Sequence, residues 1–89
     1  MSEADDLFLG EVSSEVDRAR RKFPSSNLVL AALVEEVGEL AQAMLKAAAG
    51  QWPSYRVYSE AVQVAATALR CAVEGDPSFR DYTEPNTVP

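Results

Sequence analysis

The chain has 89 residues, 14 of them acidic and 8 basic, for a formal net charge of -6, and it contains one cysteine and no histidine. That length carries one domain, near the size where a single core needs a staple or a partner. Cys71 alone closes no intramolecular disulfide, and the lack of histidine excludes His-based triads, histidine metal sites and zinc fingers. The acidic balance argues against a nucleic-acid partner. No apolar run reaches the roughly 18–20 residues of a membrane crossing. No basic segment leads into an apolar one at the N-terminus, so the sequence predicts a cytoplasmic protein with no membrane partner.

Apolar residues recur at helical spacing and no stretch alternates as a strand does, which predicts an all-α class. The first helix is expected from Asp5 or Asp6 to Lys22, with Ser2-Glu3-Ala4-Asp5 as a capping box. Phe8, Val12, Val16, Ala19 and Phe23 form its apolar stripe. Arg18, Arg20, Arg21 and Lys22 crowd its last turn, where cations complement the helix dipole. Phe23-Pro24-Ser25-Ser26-Asn27 breaks the chain, and Asn27 offers a cap for the next helix.

The second helix is expected from Leu28 to Ala49, ending at Gly50 as its C′ residue. Leu33, Val37, Leu40, Met44 and Ala47 make one apolar stripe, and Leu30, Val34, Ala41, Leu45 and Ala48 a second beside it. Glu35, Glu39 and Lys46 fall on the opposite side. Glu36 falls between that side and the main stripe, so its base is expected to be partly buried.

After Gln51-Trp52-Pro53-Ser54 a third helix is expected from Tyr55 to Glu74, stopped by Gly75-Asp76-Pro77. Arg56, Glu60, Gln63, Thr67, Arg70 and Glu74 line one narrow polar face. The rest of its circumference is apolar or small, which predicts cover from another subunit and hence a homodimer or homotetramer built as a multi-helix bundle from a helical hairpin or bundle protomer. Residues 1–77 form the domain, and 78–89 are expected to be an irregular tail.

Chemistry concentrates in Glu35, Glu36 and Glu39, three carboxylates within five residues of an apolar helix. Glu35 and Glu39 are like-charged i, i+4 neighbours that cost helix stability, whereas Glu36 and Glu39, at i, i+3, can converge on one point. A solvated acidic face and a cation site both fit this spacing. Glu60 and Gln63 repeat the i, i+3 pattern on the third helix. Two helices that each offer such a pair suit a hard divalent cation, Mg²⁺ or Mn²⁺ rather than zinc.

The segment ALVEEVGELAQAML (Ala32 to Leu45) closely resembles the first motif, EExxE, of the MazG-like all-α nucleoside triphosphate pyrophosphohydrolases, filled here by Glu35, Glu36 and Glu39. The family's second motif, ExxD, begins at Glu60, 21 residues after Glu39, and Gln63 stands where its aspartate is usual. The resemblance extends over about Val16 to Asp76. It implies a dimer or tetramer of helical bundles that uses Mg²⁺ to hydrolyse an NTP or dNTP between the α- and β-phosphates, releasing the monophosphate and pyrophosphate in a house-cleaning role. Carried over by position, Glu36, Glu39, Glu60 and Gln63 are the metal ligands. Gln63 brings an amide oxygen without charge and cannot act as a base.

Glu35, outside the family's usual ligand set, is assigned to orient or deprotonate the attacking water. A polyphosphate would be repelled by this acidic chain, and a bound cation reverses that field. Lys46, about 10 Å along the helix axis from Glu39, with Arg70 and Lys22, are the candidate substrate-binding cations. Arg18 and Arg21 are within the same reach. Trp52, Tyr55 and Tyr58 are candidates for base stacking or packing. Cys71 reads as inert packing. Two other readings fit the sequence: a weakened relative that binds nucleotide or metal without turnover, and a non-enzymatic helical oligomerisation module.

Overall fold

The computed structural model describes residues 1–24 and 29–74, apart from the side chain of Val29. These form three helices, α1 (Glu3–Lys22), α2 (Val29–Ala48) and α3 (Tyr55–Val73), and no strand is present among them. The expected tail at 78–89, the Gly75-Asp76-Pro77 stop and the Asn27 cap lie outside the described residues.

Each described boundary has a local cause. The capping box of α1 forms: the Ser2 hydroxyl accepts the Asp5 N–H at 3.1 Å, and the Asp5 carboxylate accepts the Ser2 N–H at 3.2 Å. Because Ser2 is itself the N-cap, the helix starts at Glu3 rather than at Asp5 or Asp6. At the end of α2, Gly50 takes the left-handed conformation (φ 73°). The Gly50 N–H donates to the Ala47 carbonyl and the Gln51 N–H to the Lys46 carbonyl, the two bonds of a Schellman motif. Ser54 does not cap α3 with its side chain. Its first turn closes instead through Arg56 N–H to Pro53 O and Val57 N–H to Ser54 O.

α3 is the central element. α2 folds back onto it as a hairpin, and α1 packs on it through Phe8, Val12 and Val16 against Val62, Ala65 and Ala66. Contacts along α1 and α3 rise together in number, from Phe8–Tyr58 to Arg20–Glu74, so these two helices run parallel. No Cα of α1 comes within 8 Å of one in α2. The described protein is therefore a V whose shared floor is α3.

This arrangement sets which faces of the helices are covered. α3 takes cover from its own chain on two sides, while Tyr55, Leu69 and Val73 on the same helix stay exposed. Of its polar stripe, Arg56 is exposed, Glu60, Gln63, Thr67 and Glu74 are half-buried and Arg70 is 8% exposed. The chain turns that polar face inward and leaves apolar surface outside, chiefly on α2, where Val34 is 65% and Leu45 73% exposed. Phe23, expected in the α1 stripe, is instead the exposed C-cap residue of that helix. No helix among the described residues is long and apolar enough to cross a membrane.

Candidate metal centre

The face that α2 turns to α3 is read from burial: Leu33, Glu36, Leu40, Ala43 and Ala47, with Ala43 fully buried. These residues recur at the 3-and-4 spacing of one helical face. Lys46, expected on the opposite side, is half-buried as well, and Glu36 is the carboxylate set between Leu33 and Leu40 on this face. The expected partial burial of Glu36 is observed.

Glu36, Glu39 and Glu60 each bring a carboxylate oxygen within 4.8 Å of the others. Glu36 and Glu60 are half-buried and Glu39 is exposed, which leaves the cluster open on one side. Burial raises the Glu36 carboxyl above its ordinary range, and the charges of Glu39, Glu60 and Glu35 raise it further. Glu60 is raised chiefly by burial and then by Glu39, while the Arg56 guanidinium pulls it back. One Glu36 oxygen, Oε2, is buried without a hydrogen-bond partner. A buried polar atom with no partner is costly. Three hard oxygen donors that converge in this way suit Mg²⁺ or Mn²⁺, which would offset their mutual repulsion.

The cluster adjoins a cleft of about 590 Å³ between the arms of the V, within the roughly 300–1,000 Å³ of small-molecule sites. Glu35, Glu36 and Gln63 line one side, and Glu15, Arg18, Lys22 and Phe23 stand on the α1 wall, where the Arg18 guanidinium donates to the Glu15 carboxylate. Ala19, Ala31, Ala32 and Ala66 give it small apolar walls. Thus Glu35, Glu36, Gln63, Lys22 and Arg70 share one cavity although they come from three helices.

The expected cations divide: Lys22 lines the cleft, Arg18 lines it in an ion pair with Glu15, and Arg21 does not line it. Lys46 is outside the cleft wall, and its carbonyl accepts the N–H groups of Gln51 and Trp52 in the α2–α3 turn. Arg70 lines the cleft, but its guanidinium is engaged by protein: Nη2 donates to the Phe23 carbonyl at 2.8 Å, and Nε and Nη2 both donate to Glu74. Its geometry is that of a brace between α1 and α3.

The aromatic candidates are also occupied. The Arg56 guanidinium stacks 3.9 Å from the centre of the Trp52 ring, and Tyr58 meets Phe8 edge-to-face at 5.5 Å. Tyr55 is exposed. The aromatic that does border the cleft is Phe23, with Lys22 Nζ 5.4 Å above its ring. The signal for Phe23 was its place between a basic turn and Pro24, where a helix ends and a side chain is released from the core stripe. Cys71 is half-buried, and burial pushes its thiol up, away from reactivity. No known family model, curated protein or solved structure matches the chain.

Proposed function

We propose that this protein is a MazG-like nucleoside triphosphate pyrophosphohydrolase, dependent on Mg²⁺ or Mn²⁺, that cleaves between the α- and β-phosphates. The observation that carries this reading is the convergence of the Glu36, Glu39 and Glu60 carboxylates, one of them with a buried, unpartnered oxygen, beside a cleft with Lys22 on its opposite wall. An apolar replacement would satisfy the α2–α3 seam better, so a carboxylate there has a functional rather than a packing reason.

In this reading Glu36, Glu39 and Glu60 hold the cation, with the Gln63 amide oxygen as a neutral fourth donor. A cation so held supplies positive charge to the phosphoryl oxygens and acidifies a nearby water. Glu35, exposed and lining the cleft, orients that water and accepts its proton as the new P–O bond forms. The bridging oxygen departs with the pyrophosphate. Lys22 faces the negative charge of the substrate from α1, where Arg18 is paired with Glu15, and the alanine-lined part of the cleft takes the nucleoside. Lys46 and Arg70 take no direct part.

The functional unit we infer is a homodimer or a homotetramer. Leu30, Val34, Val37, Ala41, Met44 and Ala48 follow one another at alternating steps of four and three, and Leu30, Val34, Val37 and Met44 are exposed large side chains. That is an unfilled coiled-coil seam. Beside it, a Cβ on Gly38 would meet nothing within 4 Å, so the protomer itself gives no reason for a glycine in mid-helix. Close approach of a second copy does.

A second reading, binding without turnover, is favoured by one feature, the neutral Gln63 in the ligand set. The two separate cleanly. The purified chain is incubated with a panel of NTPs and dNTPs, with and without Mg²⁺, and pyrophosphate release is followed. Release that vanishes in Glu36→Ala and Glu39→Ala supports hydrolysis. Nucleotide-dependent thermal stabilisation without release supports the second reading. Indifference to both metal and nucleotide sinks both.

A further inference from the structure

Among the described residues, the α1 wall of the cleft packs on α3 and not on α2. Over its first four turns the attachment is apolar, through Phe8, Val12 and Val16. Its last turn, which carries Ala19, Lys22 and Phe23 to the rim of the cleft, lies beyond that core. A helix C-terminus with unsatisfied carbonyls frays unless something holds it.

The holding contact is a four-residue knot. Glu74, the C-cap residue of α3, accepts Arg20 Nε of α1 at 2.9 Å and Arg70 Nη2 of its own helix at 2.7 Å. Arg70, held in this way, spans to α1 and donates from Nη2 to the Phe23 carbonyl at 2.8 Å, at the end of that helix. Arg70 is nearly buried and Glu74 is about four-fifths covered, so the Arg70–Glu74 bonds are shielded from water and stronger than surface pairs, while Arg20, 41% exposed, is the more solvated tether. Glu74 is also what permits two guanidinium groups, Arg20 and Arg70, to lie together. With its charge removed they repel, and the repulsion acts between the last turn of α1 and α3.

We propose that Glu74 is a positioning residue for the substrate, holding Arg70 and Arg20 so that the last turn of α1 keeps Lys22 and Phe23 at the rim of the cleft. Glu74 itself is absent from the cleft wall. It acts through Arg70, which reaches the rim as a brace instead of as a phosphate ligand. The knot and the carboxylate cluster share no residue, so loosening the knot changes how tightly the substrate seats without changing how the cation is held. The proposal rests on the hydrolase reading and extends it to a residue outside the site.

The test uses the full-length chain and whichever NTP or dNTP it turns over. Glu74→Gln keeps the size and removes the charge. A small misplacement of binding groups weakens ground-state contacts, so KM is expected to rise about 3–10-fold with kcat within about twofold. Mn²⁺ affinity, read by electron paramagnetic resonance, is expected to stay the same, and Glu74→Asp to recover part of the lost KM. A folded Glu74→Gln with unchanged KM overturns the proposal, as does a fall in kcat together with Mn²⁺ affinity. Should Glu74→Gln fail to fold, Arg20→Gln keeps the Arg70–Glu74 pair and removes only the second tether. A smaller KM rise is then expected, and no rise overturns the proposal. A wild-type chain that turns over no nucleotide defeats the hydrolase reading and this proposal with it. Turnover with KM unmoved by these variants defeats this proposal alone.

Discussion

Glu36 and Glu60 sit on opposite arms of the α2–α3 hairpin, yet each brings a carboxylate oxygen within 4.8 Å of the other. Like charges at that separation oppose the packing of the two helices that carry them. The protein without cation is thus strained by its own site. Glu36→Gln removes one charge at nearly constant volume and is expected to raise the melting temperature of the metal-free protein, with a gain of about 1 kcal/mol. Mg²⁺ is expected to stabilise the wild type and to leave Glu36→Gln nearly unmoved. Thermal melts with EDTA and with excess Mg²⁺ read both effects, and a variant less stable than wild type in EDTA contradicts the account.

Gln63 is the weak donor of the set, because an amide oxygen brings no charge. Restoring the anion with Gln63→Asp is expected to tighten Mg²⁺ or Mn²⁺ by about tenfold, since affinity at oxygen sites follows the number of charged ligands. The same change is expected to lower the metal-free melting temperature by adding a fourth carboxylate to the cluster. Calorimetric titration with Mn²⁺ measures the first effect and a melt in EDTA the second.

Glu74 gives a pH signature of its own. Hydrogen bonds from Arg70, then those from Arg20, hold its carboxyl down at about 2 against an ordinary 4.5. A carboxyl depressed on folding contributes stability that is complete above its unfolded value and is lost as pH falls through the folded one. The stability advantage of wild type over Glu74→Gln is therefore expected to be constant from neutral pH to about 4.5 and to shrink between there and about 2. Glu36 and Glu60, both raised, titrate in the opposite sense and are common to the two proteins, so they cancel in the difference. Denaturant melts at closely spaced pH values give that difference directly.

Gly38 separates protomer from assembly. Since a Cβ there meets nothing within 4 Å, Gly38→Ala is expected to stabilise the isolated helix by up to about 1 kcal/mol. If a second copy packs across the α2 seam, the same methyl obstructs its approach and weakens association. Sedimentation equilibrium of both proteins over a wide concentration range tests this. A variant that associates as tightly as wild type removes Gly38 from the interface.

Much of the fold was legible in the chain because its signals are local. Ser2 and Asp5 announce a cap, Gly50 a left-handed stop, and the 3-and-4 recurrence of apolar residues three helices. Local spacing also put Glu36 at the edge of a buried stripe, which holds. It misjudged which α2 residues reach the core: Val37 and Met44 are exposed, and Ala43 is the fully buried one. Helical phase fixes which residues share a face but not which face meets a neighbour.

The sequence by itself determined three helices, the Ser2 cap of α1, the Gly50 stop of α2, and the i, i+3 spacing of Glu36 with Glu39 and of Glu60 with Gln63, because each depends on residues within about one or two helical turns. Only the tertiary structure decided that α3 lies between α1 and α2 with its polar stripe inward, and that Glu60 joins the α2 carboxylates. It also decided that Arg70 serves Glu74 and Phe23 and that Lys46 stands outside the cleft. Those outcomes depend on the packing of helices that are distant in sequence, and a helix with polar and apolar faces carries no local mark of which one its neighbours will cover.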